Sequence, residues 1–116
     1  MKLPQVEIDT DHAFHAGVYA RTIMIPAGVC LTGALIQIPT VLIFSGDALV
    51  HTATGTERMT GYHVILAPQD RKQAFYAVSD TFLTMIFATS STTVEDAENE
   101  FTTEAEKLFS RKQGRH

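Results

Sequence analysis

Between Val18 and Thr89 the chain never runs far without a turn signal, and that punctuation sets its fold class. Val18 to Ile25 is rich in β-formers and stops at Pro26-Ala27-Gly28. Val29 to Ile38 is a second run, interrupted by Gly33. Val41-Leu42-Ile43-Phe44 is continuously apolar and ends at Ser45-Gly46-Asp47, which reads as a turn. Ala48 to Ala53 is followed by a turn over Thr54-Gly55-Thr56-Glu57, and Tyr62 to Ala67 by Pro68-Gln69-Asp70. Gln73 to Val78 and Thr81 to Thr89 complete the set. Short strands at regular spacing are the pattern of an all-β sandwich or barrel. A doubly wound α/β fold needs amphipathic helices between its strands, and none occurs before residue 92.

The C-terminus changes character. Thr92-x-x-Glu95 has the form of a capping box. Val94, Ala97, Phe101, Ala105 and Leu108 then form one apolar stripe at helical period. Acids lead the segment and Lys107, Arg111 and Lys112 close it, which suits the helix macrodipole. The expected organisation is a β-barrel over residues 1–91, a helix over 92–109 packed on the barrel or on a partner, and a polar basic tail over 110–116.

With 116 residues and 45% hydrophobic content, the chain is one globular domain with a real core. A net charge of −4 disfavours non-specific binding to nucleic acid, which needs a basic face. The longest apolar stretch is broken by Gly, Gln, Pro and Thr and is too short to span a bilayer. Met1 to Thr10 lacks the apolar region of a secretory signal, so a cytosolic origin is expected. The single cysteine, Cys30, excludes an intrachain disulfide and reads as a buried thiol within an apolar run.

Gly17-Val18-Tyr19-Ala20-Arg21, Ile25-Pro26-Ala27-Gly28 and Leu31-Thr32-Gly33 follow one another in a distinctive order. Together they resemble the first motif of small phage-encoded cupin-domain proteins. Further on, Pro68, Ala74-Phe75-Tyr76-Ala77, Asp80-Thr81 and the acidic segment Thr93 to Phe101 resemble later pieces of the same pattern. The likeness spans nearly residues 17 to 101. It implies a cupin-like antiparallel β-barrel of jelly-roll type with one C-terminal α-helix. The metal-binding histidines of the pattern fall on Ala34 and Ile36, and its carboxylate near Pro39 or Thr40. Gln73 stands for the third histidine and Ala77 for the asparagine. The resemblance thus implies a kept scaffold without the usual metal ligands, and no cofactor.

Among other candidates, His51 and His63 each lie on a strand and could pair across strands as fallback metal ligands. His12 and His15 read as parts of a solvated N-terminal arm. Asp47, Glu57, Asp70 and Asp80 lie at turns, where carboxylates cap backbone amides. No G-x-S-x-G, P-loop or dinucleotide fingerprint is present. A metal-free binding site remains open at the barrel mouth, lined by Ala34, Ile36, Thr40 and Gln73 with Tyr19, Tyr62 and Tyr76 nearby. The expected function is that of a non-catalytic phage accessory protein acting through protein–protein contacts, as a virion or assembly component. It would be a dimer or higher homo-oligomer, in the host cytoplasm or the virion, with other phage proteins as partners. The alternatives are a metal-free binder of a small metabolite or nucleotide signal, and a metal-dependent enzyme with displaced ligands.

Overall fold

A computed structural model describes residues 9–32 and 35–102. Seven strands are followed by one helix: β1 (Asp9–His15), β2 (Val18–Ile25), β3 (Cys30–Thr32), β4 (Thr40–Thr52), β5 (Gly55–Ala67), β6 (Ala74–Ala77), β7 (Thr81–Ala88) and α1 (Val94–Phe101). Every pairing is antiparallel, in the order β1-β2-β7-β4-β6-β3, with β5 on the other side of β4. The sheet curls into a half-barrel, as the turn-punctuated strand pattern predicts. No helix among the described residues is long and apolar enough to cross a membrane.

Strand alternation sorts side chains onto two faces. On β2, Tyr19, Ile23 and Ile25 point into the curl, and on β7 Leu83, Met85 and Phe87 join them. Leu42, Phe44, Ala48 and Val50 of β4 close the interior. Tyr19, Ile25, Phe44 and Phe101 are fully buried, each worth about 1.5–3 kcal/mol in apolar transfer.

Two sequence expectations about turns need correction. Ser45-Gly46-Asp47 is a bend inside one 13-residue strand. Val41 to Ser45 pair with β7, and Ala48 to His51 pair with β6, so β4 turns the corner between two parts of the sheet. Gly46 makes the bend (φ +150), and Thr81 fills the space where its side chain would be. The second correction concerns the N-terminal arm. Residues 9–15 form β1, joined to β2 by Ala16 and Gly17 with positive φ (54 and 75). That pair of conformations makes a tight, primed hairpin turn, so His12 and His15 lie on a strand.

The helix also differs from its expected limits. Its N-cap is Thr93, one residue later, and the Thr93 side chain accepts from the Asp96 amide at 3.2 Å. It ends at Phe101, because Thr102 is extended (φ −152, ψ 148). Gln37 caps this end: its backbone N–H donates to Phe101 O at 2.8 Å and its side-chain amide to Glu100 O at 3.3 Å. Carbonyls that a longer helix would use internally are satisfied by the neighbouring loop. Ala97 and Phe101 are buried in the common core, so α1 lies on the barrel's own interior. Ala105, Leu108 and the segment 110–116 lie outside the described residues.

Candidate functional site

The residues expected at the barrel mouth come together only in part: Ile36 and Thr40 both meet Arg71. Ala34 lies outside the described residues. Ile36 is half-buried and bridged to Arg71 by two backbone hydrogen bonds, at 2.8 and 3.0 Å. Thr40 is buried, and its hydroxyl accepts from Arg71 Nη2 at 2.5 Å. Arg71 Nη1 donates to Pro68 O at 2.6 Å and to Ile38 O at 3.3 Å, so this guanidinium pins the loop before β4. Gln73 is half-buried just before β6.

Tyr62 and Tyr76 are placed by strand alternation on the outer face. Tyr62 pairs with Ser45, whereas the inward position next to it is His63, opposite Phe44. Tyr76 pairs with Leu49, and the inward residues of β6 are Phe75 and Ala77. Neither tyrosine lines the mouth. Cys30 also departs from expectation. It is exposed, because Leu31 takes the inward position of a three-residue strand.

His51 and His63 cannot share a ligand. His63 pairs with Phe44, seven positions along β4 from His51, an odd offset that puts the two rings on opposite faces. His51 Nδ1 hydrogen-bonds Thr56 Oγ1 at 2.6 Å, and His63 Nε2 donates to Thr60 O at 2.7 Å. The turn acids divide. Asp80 caps the Ala27 amide at 2.9 Å as expected. Asp47 instead takes a two-pronged contact from Arg58, at 3.0 and 2.7 Å, and the guanidinium holds its carboxyl below the usual range.

Sequence reasoning set Tyr19 near the mouth but did not join it to His12 and Arg21, with which it forms a polar cluster on the concave face. Tyr19 is fully buried with its hydroxyl 2.7 Å from His12 Nδ1, and the two rings stack at 5.9 Å. Phe14 and Phe87 flank the phenol at 5.0 and 5.5 Å. Phe101 packs on Phe87 at 6.0 Å and carries the Arg21 guanidinium 5.9 Å above its ring. Burial pushes the Tyr19 phenol well above the ordinary tyrosine range; Arg21 opposes that shift and Glu98 adds to it. Burial also lowers the pKa of Arg21, whose Nε has no hydrogen-bond partner among the described residues. Glu98, on α1, is buried in the same neighbourhood. The signal was available: Tyr19 and Arg21 share the two-residue period of Ile23 and Ile25.

A second feature is a shallow groove of about 510 Å3 at the strand ends, lined from both faces of the sheet by Thr40 and Phe87 together with Val41, Leu66, Pro68 and Ile86.

No protein-family model matches this chain, and neither does any curated protein. Solved structures do match. A cupin-superfamily protein from Desulfitobacterium hafniense superposes with a TM-score of 0.59 at 12% identity, covering 78% of this chain and 84% of that one. The backbone has a cupin fold. Ectoine synthase from P. lautus gives a TM-score of 0.59 at 15% identity, covering 85% of this chain and 76% of that one. The Cupin_2 domain of an XRE-family transcriptional regulator from Enterobacter cloacae gives 0.55 at 11% identity, covering 70% and 96%.

Cupin barrels of the pattern that this sequence resembles hold a metal on histidines and a carboxylate. The described residues do not fit one. No group of three or more His, Cys, Asp or Glu side chains converges among them. Ile36 has no donor, and the Thr40 hydroxyl is taken by Arg71. A mononuclear centre needs three or four converging N, O or S ligands.

Proposed function

We propose that this cupin-fold chain is a non-catalytic protein that works through contacts with other protein chains, as an accessory or assembly component of a phage, in the host cytoplasm or the virion. One observation carries the reading. The outer face of the sheet exposes Tyr62, Val64, Leu66 and Phe82 at 67%, 57%, 83% and 49%. Isolated exposed hydrophobics need no explanation, but a contiguous apolar patch marks an interaction surface. The fold does not decide the matter, since its neighbours include a named synthase and a domain of a transcriptional regulator.

The test is elemental analysis of untagged protein together with its native mass. The expected result is no stoichiometric transition metal and a discrete complex larger than one chain. A full equivalent of metal per chain would overturn the reading.

A second reading, a metal-free ligand binder, draws on Arg21 Nε, which lies buried without an acceptor among the described residues. A small anion would satisfy it. Thermal shift with inorganic phosphate tests this by mass action. A rise in Tm that Arg21→Gln abolishes supports it, and an unchanged Tm removes it.

A further inference from the structure

The outer face has an internal order that says what covers it. Its side chains fall into three rows across β5, β4, β7 and β2. The first row is Tyr62, Ser45, Phe82 and Met24. The middle row is Val64, Ile43, Thr84 and Thr22. The third is Leu66, Val41, Ile86 and Ala20. None of the twelve carries a charge. The only hydroxyls in the middle row, those of Thr22 and Thr84, bond each other at 2.8 Å. Charge begins at the edges, with the Asp47–Arg58 pair beyond the first row and Asp11 beside Thr22 on β1.

The two outer rows are unlike and complementary. The first presents two aromatic rings, Tyr62 and Phe82, that stand out from the sheet. The third forms a wall of the groove, through Val41, Leu66 and Ile86. We infer that a second copy of this chain covers the face, related by a two-fold axis that runs along the middle row. Such an axis lies between the two sheets and across the strands. It sets Val64 against Val64 of the other copy and exchanges the ends of the field. The rings of the first row of each copy then enter the groove of the other. That is the self-complementarity an isologous interface requires.

The size agrees. Four strands about 4.8 Å apart and three rows about 6.8 Å apart give a field of roughly 20 by 20 Å. That is the apolar centre of an interface of about 800 Å2 per partner, with a polar rim outside it. Another way for two such chains to meet, by the edge of β5 that is unpaired among the described residues, is hindered. Gly61 bends that strand opposite Gly46, and a bent edge pairs poorly with another strand.

The inference rests on the protein-contact reading and is tested separately from it. All variants carry Cys30→Ser, which is tolerable because that thiol is exposed. Val64→Cys protein is treated with a short bis-thiosulfonate cross-linker, and Tyr62→Cys, Leu66→Cys and their mixture are treated alongside. The expected pattern is efficient cross-linking of Val64→Cys with itself, and of Tyr62→Cys only with Leu66→Cys. Val64→Asp, at an exposed site, is expected to fold with unchanged circular dichroism and to weaken dimerisation at least 100-fold by sedimentation. A monomer at tens of micromolar overturns the inference. So does a dimer insensitive to Val64→Asp, or one cross-linked through the β5 edge, although either dimer leaves the protein-contact reading in place. A stoichiometric metal defeats that reading itself.

Discussion

The hydroxyl of Tyr19 meets Nδ1 of His12 at 2.7 Å, from a ring with no solvent exposure. The bond closes with the phenol as donor when His12 carries its proton on Nε2. Tyr19→Phe keeps the packing and removes this bond, leaving Nδ1 without the phenol. The expected loss is about 1 kcal/mol, read from urea unfolding at neutral pH.

The same residue sets a pH dependence. Its folded pKa lies above the unfolded value, so the folded state holds a proton that the unfolded chain releases. Its contribution is therefore intact below the unfolded tyrosine value of about 10 and declines as pH rises above it, by up to about 1.4 kcal/mol per pH unit. Unfolding midpoints between pH 8 and 11.5 check the slope. A slope that persists unchanged in Tyr19→Phe assigns the effect to another group.

Gly46 tolerates no side chain. A Cβ there would lie 2.6 Å from Thr81 Oγ1 and 2.7 Å from Thr81 Cα, at a backbone angle that L residues avoid. Gly46→Ala is expected to cost at least about 3 kcal/mol, seen as a large drop in Tm or as insoluble protein. A Tm within a degree or two of the parent's would refute this account of the bend.

Ala16 sits in the left-handed region at φ 54, where an L residue is strained by about 1–2 kcal/mol. Asn accepts that conformation best among non-glycine residues, and Asn-Gly is the preferred pair for this turn. Ala16→Asn is expected to stabilise by up to about 1 kcal/mol. Differential scanning calorimetry on the pair of proteins decides it.

Arg71 donates to two carbonyls and one hydroxyl with a fork that lysine cannot reproduce. Arg71→Lys keeps the charge and is expected to lose about 1–2 kcal/mol. Amide exchange should quicken at Ile36, whose N–H bonds the Arg71 carbonyl. Unchanged exchange there would mean that the backbone bridge, and not the guanidinium, secures the loop.

Strands β2, β4, β6 and β7 were legible because β-branched and aromatic runs are bounded by Pro, Gly and Asp. The cupin-like topology was legible through motif order. Element boundaries failed where tertiary contacts overrode local signals. Ser45-Gly46-Asp47 has turn chemistry, yet Thr81 packs against Gly46 and keeps the strand running. The helical stripe continues in sequence past Phe101, yet Gln37 takes the terminal carbonyls. Faces were the least legible, since Val41 to Phe44 is apolar on both sides. Tyr19, Tyr62 and Tyr76 were therefore all set near the mouth, although only Tyr19 is buried.

The bend at Gly46 also bears on how this sheet finds its alignment. β4 is held by three neighbours at once, β5, β6 and β7. Sliding it by one residue would carry Ser45 or Asp47 to the place that faces Thr81, and each brings a Cβ that the site excludes. Only one residue of the strand can occupy that position. The glycine acts as a key, and it admits a single placement of β4 against the start of β7.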